Sequence, residues 1–433
     1  MEEDLKLEIA VILCVLIVLF LLNVPIAFAL IISTSVYFLF DESFSSTVLI
    51  QRMVGGIESV PLLAIIFFMT AGVLMNYTGI TSRVLRFAEV ITRPLPGSLA
   101  QVNVVLSTLM GGLSGSNIAD AAMQSKILVP EMVKKGYDKS YATVLTAATS
   151  LITPIIPPGI ALIMYGYVGN VSIGKLFLAG VFPGIVLCLI FMIYVHFHAK
   201  KYNLETENKK KFTAKEFFFS LKDALLALLL PIIIIGGIRF GAFSATEAGA
   251  IAVFYALFLG LVVYREMKLK QLISALVETV HTAASILIII AAGSAFAWVL
   301  TLEQVPQQMT VFMADYISSP IMFFIIVLIF LLIVGMFVEG NVSIIILTPL
   351  FMPMLQQYGI DPVHFGIFFI VCISIGTLTP PLGTIMFTTC SITGTKVEDF
   401  IKHSIPFLIV LIIAAMLIAF VPGISLWIPT IFS

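Results

Sequence analysis

Apolar segments of membrane-crossing length follow one another along almost the whole chain, and only residues 199–223 interrupt them with a notable polar stretch. A crossing helix needs about 20 predominantly apolar residues. The chain is therefore expected to be an all-α polytopic membrane protein. Composition agrees. With 60% hydrophobic and 11% charged residues, against about 25% charged in soluble domains, a surface of this size could not be solvated by water.

Several function classes are excluded early. The net charge of −1 offers nucleic acid no electrostatic footprint. No GxxxxGK[ST] loop is present, which argues against ATP hydrolysis. Cys14, Cys188, Cys372 and Cys390 lie in apolar runs without metal-type spacing and read as small core residues. The acidic start, Met1-Glu2-Glu3-Asp4, lacks the positive region of a secretory signal, so no cleaved signal is expected.

Ten full crossings are expected, near residues 8–22, 24–40, 57–79, 140–166, 176–198, 224–240, 244–264, 278–300, 363–390 and 403–427. The first two are separated by a tight break at Asn23-Val24-Pro25. Residues 96–134 and 321–357 are each too long for one span and are interrupted by Gly, Ser or Asn. Both read as re-entrant helical hairpins. With the N-terminus outside, the inner segments hold 19 of the 23 Lys and Arg residues, including Arg83, Arg86, Arg265 and the Lys209-Lys210-Lys211 run. Lys6, Arg52, Lys175 and Arg239 stay outside. This split follows the positive-inside rule and would be lost if either hairpin crossed fully.

The chain repeats its own punctuation. Pro130, Gly136, Asp138, Pro157, Pro158 and Pro183 recur as Pro353, Gly359, Asp361, Pro380, Pro381 and Pro406, each 223 residues later. Five crossings and one hairpin per half put the second half upside down relative to the first. Inverted-topology repeats of this kind are a signature of secondary transporters. The expected organisation is a first repeat at 1–198, a basic cytoplasmic linker at 199–223, and a second repeat at 224–433.

The chemistry is expected at the interruptions. The first hairpin tip reads GGLSGSNIAD at 111–120, and the second reads VGMFVEGNVS at 334–343. Irregular backbone at membrane depth is tolerated only in buried or cavity-lining positions. Helices starting after each tip present free N–H groups and a positive dipole end, which suit a carboxylate. In the two broken helices, Pro157 and Pro158 free the carbonyls of Thr153 and Pro154, and Pro380 and Pro381 free those of Gly376 and Thr377. With Thr149, Ser150, Thr153, Ser374, Thr377 and Thr379 nearby, these carbonyls make an all-oxygen set suited to a hard cation such as Na⁺. The alternative is that the prolines only kink the helices.

Asp120 and Glu339 are ionisable groups at membrane depth, which are functional candidates by default. Alternatively Asp120 pairs with Lys126, and Glu339 caps the returning helix. Glu58, Glu247, Glu278 and Asp315 lie nearer span ends and read as solvated or capping groups, and His281, His364 and His403 also lie near span ends, which argues against a proton relay. His196 and His198 read as interfacial.

The GGLSGSNIADAA tip, the TPIIPPG break and the GTLTPPLGT break, in this order and duplication, resemble the large membrane (M, or DctM-type) subunit of tripartite ATP-independent periplasmic (TRAP) transporters. The resemblance covers essentially the whole chain. It implies an elevator-type fold and Na⁺-driven uptake of an organic acid, such as a sialic acid or C4-dicarboxylate, across the bacterial inner membrane. It implies delivery by a periplasmic binding protein and a small four-helix Q-type subunit, here expected as a separate chain. Both termini are expected in the periplasm.

The resemblance further implies a substrate site between the tips, formed by Ser114, Gly115, Ser116, Asn117, Glu339, Gly340 and Asn341 with Pro158 and Pro381 from the breaks. It implies one cation site from Gly112, Ser114 and Asn117 with Thr149, Ser150 and Thr153. A second would use Gly335 and Gly340 with Ser374, Gly376, Thr377 and Thr379. The serine-containing tip and the Glu339-Gly340-Asn341 tip differ, so the two sites are not expected to be equivalent. Beside a pure scaffold or assembly protein, for which matched helix breaks at membrane depth would be a cost without a return, two rival readings remain at this point. One is a stand-alone cation-coupled carboxylate transporter. The other is a rhomboid-like serine protease, from the GxSG match at Gly112–Gly115, which needs a base beside Ser114.

Overall fold

A computed structural model describes residues 2–22, 24–40, 45, 47–205 and 213–432. Met1, the break residue Asn23 and the lysines at 209–211 lie outside the described residues. The first half runs α1 (Glu2–Leu21), α2 (Ile26–Phe40), α3 (Thr47–Ile57), α4 (Val60–Tyr77), α5 (Ile80–Thr92), α6 (Ser98–Ser114), α7 (Asn117–Lys134), α8 (Lys139–Thr149), α9 (Ile160–Val168) and α10 (Ile173–Lys201). A single 3₁₀ turn, Ser150–Ile152, follows α8.

The second half runs α11 (Ala214–Arg239), α12 (Ala245–Phe258), α13 (Leu269–Leu302), α14 (Val305–Tyr316), α15 (Pro320–Phe337), α16 (Gly340–Gln357), α17 (Pro362–Gly376), α18 (Thr384–Thr393), α19 (Val397–Phe420) and α20 (Gly423–Phe432). A π-helical turn, Leu259–Val263, extends α12. The helix order of the first half recurs: α7 and α16 start at residues 117 and 340, and α8 and α17 at 139 and 362, each pair 223 apart. The long α13 stands where the first half has the separate α3 and α4.

Seven helices among the described residues are long and apolar enough to cross a membrane: α4, α10, α11, α12 with its π turn, α13, α15 and α19. Six coincide with expected crossings. The seventh, α15, falls in the segment expected to be a hairpin, and its 18 residues suffice for a span by length and composition. The remaining expected crossings fall on shorter apolar helices in α1 and α2 and on the interrupted pairs α8–α9 and α17–α18. The expected crossing at 403–427 is two elements. Val421 leaves helical geometry (φ −121°, ψ 80°) because the residue before Pro422 is disfavoured in the helical region.

The outward faces carry large apolar side chains such as Leu39, Phe254 and Phe240 at 79%, 72% and 86% exposure, a surface that suits lipid and not water. Cys14 belongs to this exposed set, whereas Cys372 and Cys390 are buried and Cys188 is half-buried against the core, so the core reading fails only for Cys14.

Two groups of helices pack around the centre. In one, α13 runs against α2, α3 and α4, while α12 lies on α4 and α11 on α5. In the other, the two halves interlock: α7 packs on α18, α16 on α9, and α8 on α19. The short α5 is amphipathic. Its Ile80, Val84 and Ala88 are buried, and Arg83, Arg86 and Arg93 pair with Glu266, Asp223 and Glu216 at 2.8, 3.2 and 3.3 Å.

Candidate substrate cavity and cation-binding elements

Each hairpin turns where the sequence supplies a helix stop and a fresh start. The first arm α6 ends at Ser114, and Gly115 takes φ +62°. Ser116 then caps α7, its Oγ accepting from Ala119 N at 3.4 Å. Glycine is required at 115 twice over. Its φ is left-handed, and a Cβ there would stand 2.6 Å from Pro158 O. The start of the second half of the broken helix closes this contact, since Ile160 N donates to Gly115 O at 3.3 Å.

The second tip is built differently. Val338 is extended, and Glu339 is the N-cap residue of α16 without a side-chain bond to the cap N–H groups. Its carboxylate instead accepts from Asn341 Nδ2 at 2.7 Å. Glu339 thus stands at the capping position expected of it. The tip meets its own break through Leu382 N donating to Met336 O at 3.1 Å and through the backbone contact of Gly335 with Gly376.

The breaks place hydroxyls behind the tips. Thr149, Ser150 and Thr153 are fully buried, and Ser374, Thr377 and Thr379 nearly so. Ser150 Oγ donates to Ala147 O at 2.8 Å, Thr377 Oγ1 to Ser374 O at 2.6 Å, and Thr379 Oγ1 to Gly376 O at 2.7 Å. A hydroxyl whose hydrogen is committed in this way still presents oxygen lone pairs. This donor set is chemically suited to Na⁺. The carbonyls expected to be free in the second break are not: Gly376 O accepts from Thr379 N and Thr377 O from Ile385 N. A local turn at Thr379 and the first turn of α18 at Ile385 replace the helical bonds that the prolines remove. Both Pro157-Pro158 and Pro380-Pro381 peptides are cis.

A cavity of about 570 Å³ gathers both tips. Ser114, Gly115, Ser116 and Asn117 line it from one hairpin, Glu339, Gly340 and Asn341 from the other, with Ser374 and Thr377 from the second break. Pro158 and Pro381 are not among the lining residues; Pro154 is. Gly112, Thr149, Ser150, Thr153, Gly335, Gly376 and Thr379 also lie outside the lining. The opposite wall comes from α4, through Asn76 among others, and from α13. Glu278, His281, Thr282 and Ser285 of α13 were not expected there. Ser114 Oγ and Thr384 Oγ1 are buried oxygens without a protein partner at this cavity. His364, by contrast, is a core group, with Ser425 Oγ at 2.6 Å.

Behind the first tip lies a polar network. Asp120 is 1% exposed and accepts from Thr153 Oγ1 at 3.0 Å and from Gln124 Nε2 at 2.9 Å. Gln124 also donates to Ser107 Oγ at 2.7 Å, and Ser107 to Thr149 Oγ1 at 3.2 Å. Thr149 donates to Asn103 Oδ1 at 2.7 Å, and Asn103 to Thr146 Oγ1 at 2.6 Å. The alternative pairing of Asp120 with Lys126 is overturned, because Lys126 is exposed while Asp120 points into this buried network. The corresponding positions 223 residues later are Ile326, Phe330, Ser343, Leu347, Phe369, Cys372 and Gly376. Here Phe369 packs with Phe351 and Phe365 at 5.8 Å each. Charge therefore stands behind one tip and aromatic packing behind the other.

An all-helical, lipid-facing chain with two broken helices and two hairpin tips converging on one cavity defines a multi-pass membrane permease. The chain belongs to the DctM component family of tripartite ATP-independent periplasmic transporters, whose family model matches residues 13–424. It is a TRAP large membrane subunit and not an enzyme. It is 37% identical to the sialic acid TRAP transporter large permease protein SiaM of Vibrio cholerae, over 95% of this chain and 96% of that one. It is also 37% identical to the C4-dicarboxylate TRAP transporter large permease protein DctM of Pseudomonas aeruginosa, over 86% and 87%. Among solved structures, the YdaH transporter of Alcanivorax borkumensis matches with a TM-score of 0.63 and 15% identity, over 87% of this chain and 88% of that one, which is a likeness of fold.

Proposed function

We propose that this subunit takes up an organic acid anion, of the sialic acid or C4-dicarboxylate class, across the bacterial inner membrane, driven by Na⁺ influx. The observation that carries this reading is the convergence of both hairpin tips on one cavity. Each tip starts a helix whose first residues line the cavity, and the positive end of its dipole favours an anion. The first cation would be held by Gly112, Ser114 and Asn117 with Thr149, Ser150 and Thr153, close to the buried Asp120 charge. The second would be held by Gly335 and Gly340 with Ser374, Gly376, Thr377 and Thr379.

The hairpins and broken helices would form the moving body of an elevator, sliding against a scaffold that includes α4 and α13. Residues 1–198 and 224–433 would be the inverted repeats, with 199–223 and the basic segments cytoplasmic and both termini periplasmic. A separate four-helix Q-type subunit and a periplasmic binding protein would complete the transporter. The names of the relatives and the basic-residue asymmetry support these assignments.

Uptake of radiolabelled acid by proteoliposomes tests the coupling. Uptake is expected only with the Q-type subunit, the binding protein and an inward Na⁺ gradient present. Equal uptake with K⁺ in place of Na⁺ would remove the cation sites.

A further inference from the structure

Gly72 of α4 and Gly293 of α13 each receive a hairpin. A Cβ at Gly72 would stand 3.1 Å from both Ser114 Cα and Ser114 O, at the end of the first hairpin's outgoing arm. A Cβ at Gly293 would stand 2.4 Å from Ile345 Cγ2, in the returning arm of the second hairpin. The two glycines are counterparts, because Ala71-Gly72 recurs as Ala292-Gly293. Their partners are not. The arms α6 and α15 end at residues 114 and 337, and α7 and α16 start at 117 and 340. The counterpart of Ser114 is therefore Phe337, and that of Ile345 is Ala122.

The cavity shares this asymmetry. Its scaffold wall uses Met69, Gly72, Val73 and Asn76, toward the C-terminal end of α4, and runs from Glu278 to Ile289, toward the N-terminal end of α13. In an inverted repeat these two ends lie on one side of the membrane.

We propose that Gly72 and Gly293 are the bearing points of the hairpin body, and that the molecule has a second state in which their contacts are exchanged. There Gly72 meets Ala122 and Gly293 meets Phe337. The proposal rests on the moving-body reading above and deepens it by naming the contacts. One rigid shift produces both exchanges. Ile345 lies five residues beyond the start of α16, and Ala122 five beyond the start of α7. At about 1.5 Å per residue, a slide of roughly 8 Å toward the base of the second hairpin brings its tip to Gly293. The first hairpin points the opposite way, so the same slide carries its tip past Gly72 and leaves Ala122 there. The cavity then passes to the other ends of α4 and α13, which is alternating access.

The two glycines are crowded in different states. In the present one, an added methyl at 72 meets backbone, which yields little, whereas one at 293 meets the end of a flexible side chain. After the exchange, the methyl at 293 meets backbone at Phe337, and the one at 72 meets only the small Ala122. Gly72→Ala therefore disfavours the present state, and Gly293→Ala disfavours the exchanged one.

The test is cross-linking of an Ala297→Cys, Phe337→Cys protein, cysteine-free elsewhere, as the full chain in lipid nanodiscs with a short bifunctional thiol reagent. Ala297 and Phe337 are the counterparts of Asn76 and Ser114, which border one cavity in the present state. The pair therefore comes together on exchange. Slow cross-linking within single chains is expected. It should run about fivefold faster with Gly72→Ala and about fivefold slower with Gly293→Ala, the low end of what overpacking costs. Shifts in the same direction, or no shift in either variant, would overturn the glycines as bearing points. No cross-link in a chain that supports Na⁺-dependent uptake in proteoliposomes would overturn the exchange and leave transport in place. Cross-linking with these opposite shifts in a chain that supports no uptake would retain the exchange and remove the transport reading.

Discussion

Thr153 Oγ1 donates to Asp120 Oδ2 at 3.0 Å, tying the first broken helix to the returning arm of the first hairpin. Asp120→Ala would leave the Thr153 hydroxyl and the Gln124 amide without this acceptor in a buried site. Each keeps a second acceptor, Ser107 O at 3.4 Å for Thr153 and Ser107 Oγ at 2.7 Å for Gln124, so the loss is that of two hydrogen bonds to a charged group, about 1.5–3 kcal/mol each. A clear fall in thermal stability in nanodiscs is expected. Asp120→Asn keeps the shape and removes the charge, so it should retain more stability while raising the Na⁺ concentration needed for half-maximal uptake. An unchanged Na⁺ dependence in a folded Asp120→Asn protein would detach this carboxylate from cation binding.

The second hairpin leans on its break without side chains. A Cβ at Gly335 would stand 2.8 Å from both Gly376 Cα and Ile373 O, and backbone cannot yield cheaply. Gly335→Ala is therefore expected to destabilise by about 1–3 kcal/mol, as overpacking does, and to depress uptake. Gly55→Ala serves as the control. Its added methyl meets nothing within 4 Å, so stability should hold or rise slightly. Equal behaviour of the two variants would contradict the contact.

Far from the cavity, Tyr37 of α2 donates to the Glu303 carboxylate just beyond the end of α13, with both residues buried. Tyr37→Phe is expected to lower the unfolding temperature, since a buried carboxylate loses a donor worth about 1–3 kcal/mol. Affinity for a bound acid should not change, because neither residue lines the cavity. A loss of affinity at preserved stability would place this pair in the transport machinery.

The interruptions were legible because few residues can make them. Gly115 needs a left-handed backbone, and prolines at 157, 158, 380 and 381 rule out regular helix, so the tips and breaks stand out against an apolar background. What surrounds them was less legible. Proximity to a span end made Glu278 look solvated and His281 a poor proton relay, yet it says nothing about which face they occupy. The polar spacing 278, 281, 282 and 285 in an otherwise apolar helix was the available signal.

Asp120 and Lys126 are six positions apart and lie on different faces of a helix with 3.6 residues per turn. Gln124, four positions on, was the neighbour to expect. Polar arginine faces concealed α5, whose amphipathic pattern is too charged for a span. The carbonyls of Gly376 and Thr377 were misread because proline removes one helical donor without forbidding another donor from arriving through a turn.

The most direct measurement is intramolecular cross-linking of a Ser116→Cys, Asn341→Cys protein, cysteine-free elsewhere, in native membranes with short bifunctional thiol reagents. Efficient cross-linking within single chains is predicted, because both positions border one cavity. Free labelling of both cysteines by a bulky impermeant reagent, with no cross-link formed, would place the tips in bulk solvent and contradict the shared site.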